Sequence, residues 1–242
     1  MTGWEDHAQW WIDGFTEGAD PEYAEQILPL AEAELTGARR VLDLGCGEGQ
    51  ITRLAAGLDG VERAVGVDPT WNQISVAAGR GGAVYVRSAA EQLPFPGEAF
   101  DAVVACLVFE HIDGLDEAIG EVARVLSVGG RFCLFLNHPL LQTPASGWID
   151  DQVVDPPEQY WRIGPYLPEA ETVEEVEQGV HIRFLHRPLS RYVNALAGHG
   201  LLIEQMIEPA PPPGFLLLAP EYGLAATVPR LLYLRARKFV GR

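Results

Sequence analysis

Basic residues are scarce in this chain: Lys238 is its only lysine, and 17 Lys and Arg face 34 Asp and Glu across 242 residues, for a formal net charge of −17. One lysine near the end leaves nothing for a phosphate-cradling P-loop, and a Schiff-base mechanism would rest on that residue alone. The charge also argues against a nucleic-acid partner, because phosphate contacts need clustered Lys or Arg. The one basic cluster, Arg230, Arg235, Arg237 and Lys238, reads as a solvated strand edge or terminal tail. Cysteine is equally sparse. Cys46, Cys106 and Cys133 show no C-x-x-C spacing, so they read as small apolar side chains in a reducing compartment, neither disulfides nor zinc ligands. His181 and His186 would point to opposite faces of a strand, and no metal site is expected. No apolar run reaches membrane length, and Met1 to Asp20 carries acids and tryptophans in place of a basic-then-apolar leader. A cytoplasmic protein without a membrane partner is the expectation.

Glycine, by contrast, is concentrated where it matters. Val41-Leu42-Asp43-Leu44-Gly45-Cys46-Gly47-Glu48-Gly49 reads as a buried strand entering a tight turn, with a helix beginning near Gln50. A second strand, Ala64 to Val67, ends in Asp68, 25 residues after Asp43. Glycines permit positive φ and close approach of a ligand to the main chain, and a carboxylate at that distance suits a pair of ribose hydroxyls. The spacing discriminates between ligands. A dinucleotide site uses G-x-G-x-x-G, but here Gln50 occupies the third position and Asp43 would repel a pyrophosphate. An acid there suits an ammonium or sulfonium group.

Asp43-x-Gly45-x-Gly47-x-Gly49 with Asp68 resembles the first two motifs of the class I S-adenosylmethionine-dependent methyltransferases, of the bacterial small-molecule type. Leu93-Pro94-Phe95, Phe100-Asp101-Ala102-Val103-Val104, Phe109-Glu110-His111 and Glu121 to Gly130 agree in order and spacing, so the resemblance is strongest over residues 38–137. His186-Arg187-Pro188-Leu189-Ser190 and Glu208-Pro209 resemble a less specific bacterial tail. The resemblance implies S-adenosylmethionine as cofactor and a small-molecule methyl acceptor. It implies that Asp43, Gly45, Cys46, Gly47 and Gly49 hold the methionine portion and Asp68 the ribose. Pro69 would cover one adenine face, Ala89, Ala90 and Glu91 its edge, and Cys106 and Leu107 the region near sulfur. Ala89 departs from the acid usual in the family, which leaves the adenine amino group to backbone atoms.

Alternating strand and helix signals over 40–136 imply crossover units: strands at 40–44, 63–67, 83–87, 100–105 and 131–136, helices near 50–57, 70–79 and 116–126. The fold expected is an α/β doubly wound, mostly parallel sheet, seven-stranded by resemblance and with an antiparallel last strand. Asp20-Pro21 starts an earlier helix whose inner face is Ala24, Ile27, Leu28 and Ala31. Residues 1–37 form an N-terminal arm and helix, with Trp4, Trp10, Trp11 and Phe15 sealing the core edge or closing over a ligand. Residues 138–180 break the alternation and carry Trp148, Tyr160, Trp161 and Tyr166. Such a segment after the fifth strand is expected to be a lid over the site. Residues 181–242 follow with a strand at 180–185, a helix at 189–198, a strand at 201–207, a proline-rich loop at 209–213 and a strand at 229–237, all within a single domain.

A sulfonium methyl is already activated, so holding a nucleophile in line supplies much of the rate, and a base helps only where the acceptor must lose a proton. His111 and His138 are the candidate bases, and Glu110, Asn137, Trp148, Trp161 and Tyr166 the candidate acceptor contacts. Two rival functions share the ribose carboxylate: a nicotinamide-dependent oxidoreductase, which the glycine spacing and Asp43 disfavour, and a cofactor-binding protein without turnover, which only Ala89 favours.

Overall fold

A computed structural model describes residues 4–239. Its centre is a seven-stranded sheet ordered β10-β11-β5-β4-β1-β2-β3. The strands are β1 (Arg40–Leu44), β2 (Arg63–Asp68), β3 (Val84–Arg87), β4 (Phe100–Cys106), β5 (Leu126–Asn137), β10 (Leu201–Ile207) and β11 (Leu231–Lys238). β1 to β5 pair in parallel, and β11 runs antiparallel to both β5 and β10. Period-two alternation divides the core. Leu42, Leu44, Val103 and Ala105 face α5 (Leu115–Val125) and α6 (Leu189–Gly198), whereas Val41, Ala102, Val104 and Cys106 face α2 (Leu28–Leu35) and α3 (Gln50–Ala56). Helices cover both faces, so the parallel strands read as almost continuous apolar runs.

Before the sheet, α1 (Trp4–Phe15) is a full helix where the sequence suggested only an arm. Asp20 caps the next helix as its position predicts, accepting the Tyr23 amide at 2.8 Å, and a π-helical turn over Tyr23–Ile27 leads into α2. α4 (Trp71–Arg80) joins β2 to β3.

Residues 138–180 are not irregular. They contain the antiparallel hairpin β6 (Gly147–Asp151) with β7 (Glu158–Arg162), and β8 (Ala170–Glu177), which pairs with β9 (Val180–His186). β9 therefore lies outside the main sheet, in its own two-stranded ribbon. The proline-rich stretch also continues into a helix, α7 (Pro213–Leu218), with Pro213 at its first position, where a missing N–H costs no hydrogen bond. Among the described residues no helix is long and apolar enough to cross a membrane, and no group of three or more His, Cys, Asp or Glu could hold a metal ion.

Candidate functional site

Parallel sheets bind ligands beyond the carboxyl ends of their strands, where the chain order reverses. Here that point lies between β1 and β4, and a cavity of about 340 Å3 opens there. It brings together Asp43, Gly45, Cys46, Gly47, Asp68, Pro69, Ala89 to Glu91, Cys106 and Leu107, all assigned to the cofactor from the sequence; Gly49, the residue before α3, is not part of its wall and packs against Tyr85.

Gly45, Gly47 and Gly49 take φ values of +71°, +52° and +87°. Gly45 and Gly49 are also required by packing. A Cβ on Gly45 would come within 2.4 Å of Val108, and one on Gly49 within 2.6 Å of Tyr85. Gly47 differs, since the nearest atoms to such a Cβ would be 3.8 Å away, and the space beside it is open cavity. Leu107, at the end of β4, is the one non-glycine of the cavity wall with positive φ, +54°, a conformation costing about 1–3 kcal/mol.

The two carboxylates are prepared differently. Asp43 is buried and accepts the Thr52 hydroxyl at 2.6 Å, and desolvation holds its pKa up at about 7. Asp68 accepts the Gly47 amide at 3.0 Å through Oδ2 and the Thr70 amide at 2.8 Å through Oδ1, while burial raises its pKa. These amides fix the Asp68 carboxylate against the glycine turn. Gln73, in the first turn of α4, lines the same cavity with its Oε1 buried and unpartnered. Thr52, Thr70, Gln73 and Tyr23 were not singled out from the sequence. A usable signal was their placement in helical first turns directly after the two motifs, or on the inner face beginning at Asp20.

The roof is α1. Trp4 and Trp11 line the cavity, and the helix is fastened on both sides. Glu5 accepts the Trp71 and Asn72 amides at 2.8 and 3.2 Å, capping α4, and Trp10 donates its indole N–H to Glu177 of β8 at 2.7 Å. Of the two uses expected for these rings, cavity closure falls to Trp4 and Trp11. Trp11 stacks on Phe15 at 4.3 Å and meets Tyr23 edge-on at 5.9 Å.

His111 also lines the cavity. Its Nδ1 lies 2.8 Å from the Arg183 carbonyl, which can only accept, so Nδ1 carries the proton and Nε2 keeps its lone pair. Trp4 and Phe184 enclose the ring at 4.9 Å each, and desolvation pushes its pKa down to about 4. The loop presenting it is clamped from behind. Buried Arg187 donates to the carbonyls of Phe109, Ile112 and Asp113, and the Leu185 amide donates to the Glu110 carbonyl.

The other candidates lie off this cavity, and the expectations attached to them are corrected. His138 is buried, with Nε2 on Glu208 at 2.8 Å and Nδ1 accepting the Leu140 amide at 3.2 Å, so neither nitrogen is free to act as a base. Glu110 accepts the Asn137 amide at 2.6 Å, and burial raises its pKa to about 7, so these two residues join the β4 loop to the end of β5. Tyr166 accepts the Leu189 amide on its hydroxyl at 2.9 Å, satisfying the first turn of α6, and its carbonyl lies 2.7 Å from His186 Nε2. Trp148 and Trp161 pack edge-on at 5.6 Å, Trp148 stacks on Tyr222, and both line a separate cavity of about 110 Å3. No residue of 138–180 lines the large cavity. The segment's β6–β7 hairpin packs on α7 and the loop after it, and β8 meets α1 through Glu177, so the lid expected in this segment does not border the cavity.

Comparison with known proteins agrees with this geometry. Residues 42–134 match the methyltransferase domain family. A solved S-adenosylmethionine-dependent methyltransferase from Mesorhizobium loti superposes with a TM-score of 0.74 at 28% identity, over 87% of this chain and 96% of that one. An uncharacterized methyltransferase of Bacillus subtilis is 36% identical over 136 residues, 54% of this chain and 51% of the relative. A demethylmenaquinone methyltransferase of Leptospira interrogans is 32% identical over 128 residues, 50% of this chain and 51% of the relative. The chain thus spans about half the length of the curated relatives it matches.

Proposed function

We propose that this chain, a class I S-adenosylmethionine-dependent methyltransferase, transfers the cofactor's methyl group to a small-molecule acceptor held beneath α1, releasing S-adenosylhomocysteine. The observation that carries this reading is the single cavity in which the glycine turn, two buried carboxylates and the α1 roof meet. The lining fits the cofactor. Open space beside Gly47 admits a ligand to the main chain, the orphaned Gln73 Oε1 awaits a donor, and Asp43 and Asp68 suit an ammonium and a ribose diol respectively.

S-adenosylmethionine, when bound, supplies a methyl already activated by the sulfonium charge. The chain's own residues then orient and enclose. Asp43 would pair with the amino-acid end and Asp68 with the ribose, while Pro69 and Ala89 to Glu91 would flank the base. Trp4 and Trp11 exclude water from above, and His111 Nε2 offers a neutral lone pair to a donor on the acceptor. Saturating S-adenosylhomocysteine should raise the melting temperature, by an amount corresponding to about 2.7 kcal/mol at 100 times its Kd. NADH should leave it unmoved, and the converse result would overturn the reading. A methyl-transfer assay with labelled cofactor across acceptor classes tests turnover.

A further inference from the structure

The cavity wall that the cofactor motifs do not account for is a row of rings. Tyr23 meets Trp11 at 5.9 Å, Trp11 meets Trp4 at 5.6 Å and Trp4 meets His111 at 4.9 Å, each pair edge-on at 81–85°. One end of this arc is anchored near the cofactor's expected sulfur, where the Tyr23 hydroxyl lies 3.5 Å from Cys106 Sγ. The other end is the free Nε2 of His111. The arc therefore crosses the cavity beneath α1, from the predicted methyl position to a hydrogen-bond acceptor.

Charge in the cavity is one-sided. Its lining includes five carboxylates, Asp43, Glu48, Asp68, Glu91 and Asp113, and no Lys or Arg. Arg53 and Arg80 hold Glu48 and Arg183 holds Asp113, whereas Glu91 has no such partner among the described residues. Aromatic faces and unpaired carboxylates both attract cations, and a negatively lined cleft concentrates them from solution. An anionic acceptor would find no Lys or Arg in this lining to hold it.

From this arc and this charge we infer that the methyl acceptor is a small amine with an apolar body, carried against Trp4 and Trp11 with its nitrogen at the Tyr23 end of the arc. The inference rests on the methyl-transfer reading above. The ammonium sheds one proton to solvent, and the neutral nitrogen's lone pair forms the new N–C bond as the C–S bond breaks with its electron pair left on sulfur. Positive charge thus passes from sulfur to nitrogen without leaving the acidic cavity, and the product leaves as the N-methyl ammonium, with one proton released per turnover. His111 Nε2, at the far end of the arc, is left to accept a hydrogen bond from a donor on the body of the acceptor. Its neutral form at pH 7, held by burial, keeps it an acceptor throughout.

The test uses the full chain saturated with S-adenosylhomocysteine and three isosteric probes: phenethylamine, 2-phenylethanol and phenylacetate, titrated calorimetrically. Phenethylamine should bind at least tenfold more tightly than the alcohol, and phenylacetate most weakly. Trp4→Ala should erase most of that preference and Trp4→Phe should retain it, each variant being titrated at a concentration of S-adenosylhomocysteine that saturates it. Equal or tighter binding of phenylacetate overturns the inference, as does a preference indifferent to Trp4→Ala or the failure of all three probes to bind. If S-adenosylhomocysteine itself does not bind the wild type, the methyl-transfer reading falls together with it.

Discussion

Two segments of this chain concentrate tryptophan and tyrosine, and they do opposite things. α1 places Trp4 and Trp11 in the wall of the large cavity, whereas the β6–β7 hairpin turns Trp148 and Trp161 toward Tyr222 and Phe215 in a separate cluster. Composition does not distinguish them. What does is attachment. α1 is tied across the strand ends, to α4 through Glu5 and to β8 through Trp10, whereas β7 is tied to the loop after α7 by the Gln159 amide on the Glu221 carbonyl at 3.0 Å. An aromatic segment acts on a ligand only if its hydrogen bonds hold it over the place where the ligand sits.

The contrast is tested most severely by Trp161→Ala. Removing this partly buried indole from the hairpin cluster should cost about 2–3 kcal/mol, lowering the melting temperature by roughly 6 °C, while the S-adenosylhomocysteine Kd stays within about twofold. Loss of cofactor affinity without loss of stability would restore the lid role to the hairpin. Asp68→Ala should do the reverse. It should weaken S-adenosylhomocysteine by about 1.5–3 kcal/mol, roughly 10- to 100-fold by titration calorimetry, because charged hydrogen bonds to the ribose disappear.

A pH series sharpens the picture on the α1 side. The folded pKa of Asp43 lies above its unfolded value, so its contribution to apo stability is complete below about pH 4 and is lost as pH rises toward about 7. Glu110 acts in the same direction, and His111 in the opposite one, losing its contribution as pH falls from about 6.5 to about 4. A ligand ammonium needs Asp43 ionised, so S-adenosylhomocysteine affinity should increase about tenfold between pH 6 and pH 8, with a proton released on binding. An affinity flat across that range would remove Asp43 from the ammonium site. The smallest effect is expected from Glu5→Ala, which removes the cap on α4 and should cost about 1 kcal/mol. Its cofactor dissociation, followed by stopped flow, should quicken severalfold, and an unchanged rate would mean that α1 does not govern exit.

The cavity floor was readable from the sequence because its constraints are local. A strand buried on both faces reads as an apolar run, a turn with three positive-φ positions demands glycine, and Asp43 and Asp68 fall at strand ends by counting. The roof and the hairpins were not. β8 is exposed along most of its length and carries Glu171, Glu174, Glu175 and Glu177, so it shows no buried alternation and owes its form to pairing with β9. His138 read as a crevice residue because it follows β5, and only tertiary contact with Glu208 shows where its ring points. Tyr166 misled in the same way, since its use, capping α6 from 23 residues upstream, depends on a long-range contact without a sequence period.

Fastening α1 through its tryptophans has an experimental consequence. Three of the chain's six tryptophans, Trp4, Trp10 and Trp11, lie within one helix turn or two of each other on the segment that closes the cavity, each in contact with another ring. Any movement of that helix changes the polarity around half of the molecule's indoles at once. The protein should therefore report its own opening and closing by intrinsic emission, without an attached dye, with Trp148 and Trp161 as an internal reference that stays still.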